Sequence, residues 1–140
     1  MRSFMYGLFV FPLALLAGAC SSVYDSLPTT PDPVIVTDTF TGTITINGAA
    51  SHPFFTSATG TVTATLSSLG EKPPAMVGFS LGTYSGTTCS VTTGLFNDKA
   101  VVTSVLLGTV STLGGSLCVR IHDVGSLTEP VTYEIKVQHP

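Results

Sequence analysis

Gly78-Phe79-Ser80-Leu81-Gly82 matches the Gly-x-Ser-x-Gly pattern of a serine nucleophile, and Asp123, Glu129 and His139 follow it. Ser, acid, His is the chain order of an α/β-hydrolase triad. That chemistry needs a sharp strand-to-helix turn to expose the hydroxyl. Here Val77, Phe79 and Leu81 alternate straight through the motif, and no helical pattern follows. Ser80 is expected as an outward residue of a strand, and no catalytic residue is assigned. His52, His122 and His139 lie far apart and lack the close spacing of a histidine-rich metal motif. His122 and Asp123 are neighbours, so on one strand they face opposite ways, and in a loop they need not. Asp123 and Glu129 bracket the loop "DVGSLTE", and Asn97 and Asp98 sit in another segment. Together they hold the hard oxygens calcium prefers, without the dense Asp/Asn alternation of a dedicated calcium loop. The alternative is that Asp123 bonds turn amides while Arg120 pairs with a surface acid. The expected metal and cofactor set is therefore none. Sugar platforms need exposed aromatic rings. There is no Trp; Tyr24 precedes the patterned region, Tyr133 reads as core, and Tyr84 beside Ser85-Gly86 is placed for contact.

The three cysteines carry a different chemistry. Phe4 to Leu16 is an uncharged run behind Met1-Arg2, about the length of a signal-peptide core and short of the ~20 residues that span a bilayer. Ala17-Gly18-Ala19-Cys20 follows it. This resembles a bacterial lipobox, with Ala17 where Leu is usual and Leu16 one place earlier. The resemblance implies removal of residues 1–19 and a lipid on the Cys20 sulfur; an ordinary cut after Ala19 would leave a free thiol. Ser21 is similar to the residue following the cysteine in lipoproteins sorted to an outer membrane. With Cys20 acylated, Cys89 and Cys118 are left as an even pair in an oxidising compartment, where a disulfide can persist. Two buried thiols are the alternative.

Loss of Arg2 leaves four basic against eight acidic residues, a net charge of −4. Only 9% of the chain is charged, and no basic patch offers a surface for nucleic acid. The hydrophobic share is 44%, too high for a disordered chain. Residues 20–38 carry Pro28, Pro31 and Pro33 and read as a tether, in which Ser21 to Asp38 would reach about 55 Å if extended at ~3.1 Å per residue. Val34-Ile35-Val36 can belong to it or begin a first strand.

From Thr39 to the end, residues 39–140, the period is two. Phe40, Gly42, Ile44 and Ile46 alternate with threonines as far as Asn47-Gly48. Val62, Ala64 and Leu66 repeat the pattern, as do Tyr133, Ile135 and Val137. Successive side chains of a strand point to opposite faces, so each segment predicts a half-buried strand. Pro53 stands at the start of a short strand through Phe54-Phe55. Val101–Leu107, apolar on both faces, predicts a central strand. Seven to eight such strands with turn residues between them predict an all-β antiparallel sandwich. Cys118 has the opposite parity from Leu117 and Val119, so it should leave the core face and meet Cys89 near a surface or sheet edge.

The stretches "HPFFTSATGTVTATL", "VGFSLGTY", "GGSLCVRIHDVG" and "VTYEIKV" resemble, in order and content, the bacterial pre-peptidase C-terminal domain. Leu117 stands where that family usually has an aromatic, and Cys118 takes the next place. The resemblance implies a jelly-roll-like sandwich, an accessory role beside a secreted protease, and in some members binding of calcium or a matrix polymer. No ligand residue carries over by motif. The function expected is a non-enzymatic, lipid-anchored adhesion or envelope-interaction module, with an envelope protein or polysaccharide as partner. The competing expectation is an accessory domain that binds polysaccharide or protein for a separate enzyme.

Overall fold

In the computed structural model, residues 31–74 and 76–140 are described, and Asp32–Pro140 form one compact unit. Cys20, the signal segment and most of the tether lie outside the described residues. Eight strands follow in order: β1 (Val36–Ile44), β2 (Ala49–Thr56), β3 (Gly60–Ser68), β4 (Val77–Ser85), β5 (Thr88–Ala100), β6 (Val105–Val110), β7 (Gly115–His122) and β8 (Val131–His139). They form two sheets, β1-β8-β3-β6 (sheet A) and β2-β7-β4-β5 (sheet B), with every pair antiparallel. The chain changes sheet after β1, β2, β3, β5, β6 and β7, and stays within a sheet only from β4 to β5. This is the order of an eight-stranded jelly roll.

The alternation decides which face is dry. Val62, Ala64 and Leu66 of β3 and Ile135 and Val137 of β8 point inward from sheet A. Phe79 of β4 and Val119 and Ile121 of β7 meet them from sheet B, all wholly buried. Each of these Val, Leu, Ile and Phe side chains contributes about 1.5–3 kcal/mol on burial. Pro53 does not start its strand: β2 begins at Ala49 and Pro53 is its fifth residue, tolerated because β2 is an edge strand of sheet B, where a missing N–H costs least.

The strand limits and order depart further from the sequence reading. Of Val34-Ile35-Val36, read as tether or first strand, only Val36 joins the sheet: β1 begins there, ahead of Thr39, and Val36 to Asp38 continue the ladder with β8. β5, thirteen residues long, has no counterpart in the reading. Val101–Leu107 is not a central strand. Val101–Ser104 is a turn, with Ser104 N–H donating to the Val101 carbonyl (2.9 Å) and Thr103 at φ 76°. Thr103 N–H donates to the Leu66 carbonyl (2.8 Å) and Leu66 N–H to the Ser104 carbonyl (3.0 Å), which anchors the turn on β3. The chain passes here from sheet B to sheet A, and the β6 that follows is the edge strand of sheet A.

Candidate functional site

The outer face of sheet B explains the Gly-x-Ser-x-Gly motif. Gly78, Ser80 and Gly82 all point outward from β4, opposite His122, Arg120 and Cys118 of β7. An outward face is normally wet, yet all three are buried. A Cβ on Gly78 would fall inside the His122 ring, and a Cβ on Gly82 would fall against the Ser90 carbonyl. The glycines leave room for neighbours to fold over β4. Ser80 therefore lies inside a continuous strand, 2% exposed, not on an elbow, and its Oγ has no hydrogen-bond partner.

β5 forms much of this cover. Ser80 pairs with Phe96 and Gly82 with Val91, so four β5 residues, Thr92–Leu95, stand opposite the single residue Leu81. The bulge, with Gly94 at φ 82°, carries the first part of β5 over β4. That brings Cys89 to Cys118, two strands away, with Cα atoms 5.8 Å apart and the disulfide formed. Cys118 does leave the main core face, but it is wholly buried rather than near a surface, because β5 covers it. A second bulge sets Asp98 and Lys99 opposite Gly78, and Asp98 Oδ1 stands 3.6 Å from His122 Nε2. His122 Nδ1 is buried without a partner. Arg120 pairs with no acid among the described residues.

The other two histidines close the opposite flank, between edge strands β1 and β2. His52 stacks on Phe40 (centroids 4.9 Å), and its Nε2 is 2.7 Å from the Tyr133 hydroxyl. Gly42 leaves space for that hydroxyl, since a Cβ there would collide with it. Burial holds the His52 imidazole below its ordinary pKa and pushes the Tyr133 phenol up. His139, 4% exposed, lies 3.1 Å from Asp38 Oδ2 and against the Phe54 ring. His139 is thus a closure residue, far in the fold from any partner for Ser80.

Asp123 organises a loop. Its Oδ1 accepts from the N–H groups of Gly125 (2.8 Å), Ser126 (2.9 Å) and Leu127 (3.2 Å), and its Oδ2 accepts from Asn47 N–H (2.9 Å). The Asn47 bond foremost, with the Leu127, Gly125 and Ser126 bonds, holds this carboxyl below the usual range against desolvation. Both oxygens serve turn amides, Glu129 borders a separate pocket with Glu71 and Lys72, and Asp98 lies beside His122. The candidate calcium oxygens are not brought together, and no group of three metal-ligating side chains forms among the described residues. Tyr84 is half-buried opposite Cys89 rather than presented as a platform.

The β5–β6 flank presents what the sequence reading did not anticipate. Phe96 and Val91 are exposed along the outer edge of sheet B, and Val105 and Leu107 along that of sheet A. Between the two edges a cleft of about 260 Å³ reaches Val62, Leu81, Leu95, Val110 and Leu117. The bulge in β5 and the absent side chain of Gly108 in β6 open it. The available signal was in "VLLGTV": apolar on both faces and without a charge, it fits an uncovered edge as well as a sheet centre. No protein-family model matches the chain, and no curated protein matches it either.

Proposed function

We propose that the chain is a non-enzymatic lipoprotein of a bacterial cell envelope, tied to the membrane through acylated Cys20, whose sandwich acts as an adhesion or envelope-interaction module. The observation that carries this reading is the β5–β6 flank. Phe96 is 54% exposed on the outer face of sheet B, Val105 and Leu107 are 49% and 63% exposed on that of sheet A, and an apolar cleft reaching Leu81, Leu95 and Val110 opens between the two edges. Uncovered apolar surface of this kind, continuous with a cleft between two edge strands, marks interaction sites. The Cys89–Cys118 bond suits an exported protein, and the lipobox-like "AGAC" supplies the anchor. The likeness to pre-peptidase C-terminal domains supports an accessory, non-catalytic role.

Binding of the purified full chain to cell-envelope fractions tests this, beside mass spectrometry of its mature N-terminus. The expected results are diacylglyceryl-Cys20 as first residue, and envelope binding that Phe96→Asp and Leu107→Asp reduce by about tenfold or more, 1.4 kcal/mol. Unmodified Cys20, or binding untouched by both variants, overturns the reading. Binding lost after polysaccharide digestion but kept after proteolysis of the fraction would favour the accessory, sugar-binding role instead.

A further inference from the structure

We propose that the β5–β6 flank receives an extended, uncharged peptide segment of an envelope protein, which adds as a strand to the free edge of β6 and seats one apolar side chain in the cleft beside Gly108. The proposal rests on the interaction-module reading and names the partner's chemistry. β6 is paired with β3 on one side only and is the last strand of sheet A. Among the described residues no strand pairs with its other side, which therefore offers N–H and C=O groups that a peptide backbone satisfies and a lipid chain does not. Natural edge strands are usually protected by charge, proline or a covering segment. Val105-Leu106-Leu107-Gly108-Thr109-Val110 contains no charge and no proline.

The pleat then dictates the fit. Leu106, Gly108 and Val110 turn toward the sandwich interior, whereas Val105 and Leu107 turn out. A strand added to β6 would place its alternate side chains likewise. The one beside Gly108 meets no side chain on β6 and points to the cleft, which Leu81 and Leu95 line. A Cβ on Gly108 would itself stand 3.2 Å from Leu95 Cδ1 and 3.7 Å from Leu81 Cδ1, so a larger residue at 108 would crowd the cleft lining. At about 260 Å³ the cleft is smaller than the 300–1,000 Å³ typical of small-molecule sites, and it suits one aliphatic or aromatic side chain. Charge matching selects among occupants. None of the residues lining the cleft is ionisable, and its rim is Thr92, Thr109, Ser111 and Thr112. An anionic lipid headgroup finds no Lys or Arg there. A charged peptide side chain would be buried without a counterion, which is costly.

The test uses the full chain in detergent micelles against a displayed library of random octapeptides. Selected peptides should share an uncharged, alternating core with one central apolar residue. A synthetic consensus peptide should slow hydrogen exchange at the Val105–Val110 amides. Its affinity should fall by about tenfold or more in Gly108→Leu and in Leu107→Asp, 1.4 kcal/mol, and stay unchanged in Thr39→Ala. The exchange measurement uses the unmodified sequence, so it decides even if Gly108→Leu fails to fold. Absence of a shared consensus, a charged consensus, or protection of other strands overturns the proposal. A concentration-dependent dimer that protects the same amides identifies a second copy as occupant and overturns it too. If envelope binding is lost in Phe96→Asp and Leu107→Asp while no peptide consensus emerges, the interaction-module reading stands and only the strand-receptor proposal falls.

Discussion

One row across sheet A runs from Thr39 of β1 to Lys136 of β8, to Thr65 of β3, to Val105 of β6. All four side chains stand outward, and three are exposed, with Thr65 half-buried. A comparable row across sheet B runs from Pro53 of β2 to Cys118 of β7, to Gly82 of β4, to Val91 of β5. It too points outward, yet Cys118 and Gly82 are buried, because β5 bends back over β4 and is bonded there. Sheet A has one dry face and one wet face. Sheet B has a second, thin buried layer held by a disulfide, two glycines and a histidine. Alternation alone tells inside from outside only where nothing covers the outer face.

The strongest way to break this comparison is to put a side chain under the cover. Gly82→Val sets atoms where the Ser90 carbonyl lies, and a backbone group cannot swing aside as a side-chain tip can. The first half of β5 must lift, which strains the disulfide. A loss of about 4 kcal/mol or more is expected, in the exceptional class of single substitutions. Urea denaturation checks it; a midpoint like that of the unchanged protein would mean that β5 does not lie over Gly82.

The bond itself comes next. Cys89 and Cys118 are 29 residues apart, and closing such a loop contributes about 3–4 kcal/mol in the chain-entropy account. Cys89→Ser and Cys118→Ser should each lose most of that, and the double variant little more. Cys118→Ser should be the worse single change, since it leaves a hydroxyl in a wholly buried place while Cys89 is half-exposed. Additive losses would argue that the two sulfurs act separately.

The sequence disclosed this molecule unevenly, for physical reasons. β1, β3 and β8 were legible because Thr39, Thr65 and Lys136 face water while Phe40, Leu66 and Ile135 do not. The Cys89–Cys118 pairing was legible from the cysteine count, with both residues inside the patterned region, and Tyr133 from its parity. β5 was not, because its two bulges shift the parity of Thr88–Ala100 midway and its edge position leaves most of it exposed. Val101–Leu107 misled because a run apolar on both faces fits two environments. The Asp98–His122 contact was invisible, since a bulge in β5 and the strand order, which sets β5 and β7 on either side of β4, create it. The motif around Ser80 looked like chemistry because glycine serves both a nucleophile's sharp turn and a covered strand.

Gly78→Ala tests the histidine end of the cover. The added methyl requires the His122 ring to move, and overpacking of this kind costs about 1–3 kcal/mol. His122→Ala in the same chain removes the obstacle, so the double variant should be more stable than the sum of the singles implies, by about 1 kcal/mol. Simple additivity would separate Gly78 from His122.

Acid sharpens the contrast between covered and open groups. His52 is held below its ordinary pKa by burial, so the folded protein binds its proton less readily than the unfolded chain. Its contribution is present in full above the unfolded pKa of about 6.5 and is lost as pH falls from there through the lower folded value. The melting midpoint should therefore drop across that window, and His52→Gln should flatten the drop. An equal slope in both proteins would show that His52 is not the group concerned.

The smallest expected effect is the most direct check on the open face. Thr37, Thr39 and Thr41 stand outward from β1, exposed, opposite Gln138, Lys136 and Glu134 of β8. Among the described residues no hydrogen bond ties their hydroxyls to another residue, and no segment of residues 31–74 or 76–140 lies over them as β5 lies over β4. Thr39→Ala should then cost only what strand preference dictates, within about 0.5 kcal/mol. The three alanine changes together should remain near the sum of three such small losses, because each side chain mainly meets water and its cross-strand neighbour. Gly78→Ala, a single methyl on sheet B, should exceed Thr39→Ala clearly. The informative quantity is that ordering, read from urea midpoints in one buffer. If Thr39→Ala costs as much as Gly78→Ala, the outer face of sheet A is covered too, and the contrast between the sheets is lost. If the ordering holds, the threonine ladder is free to change with little consequence for folding, and the constraint on the chain lies in the glycines and sulfurs of the other sheet.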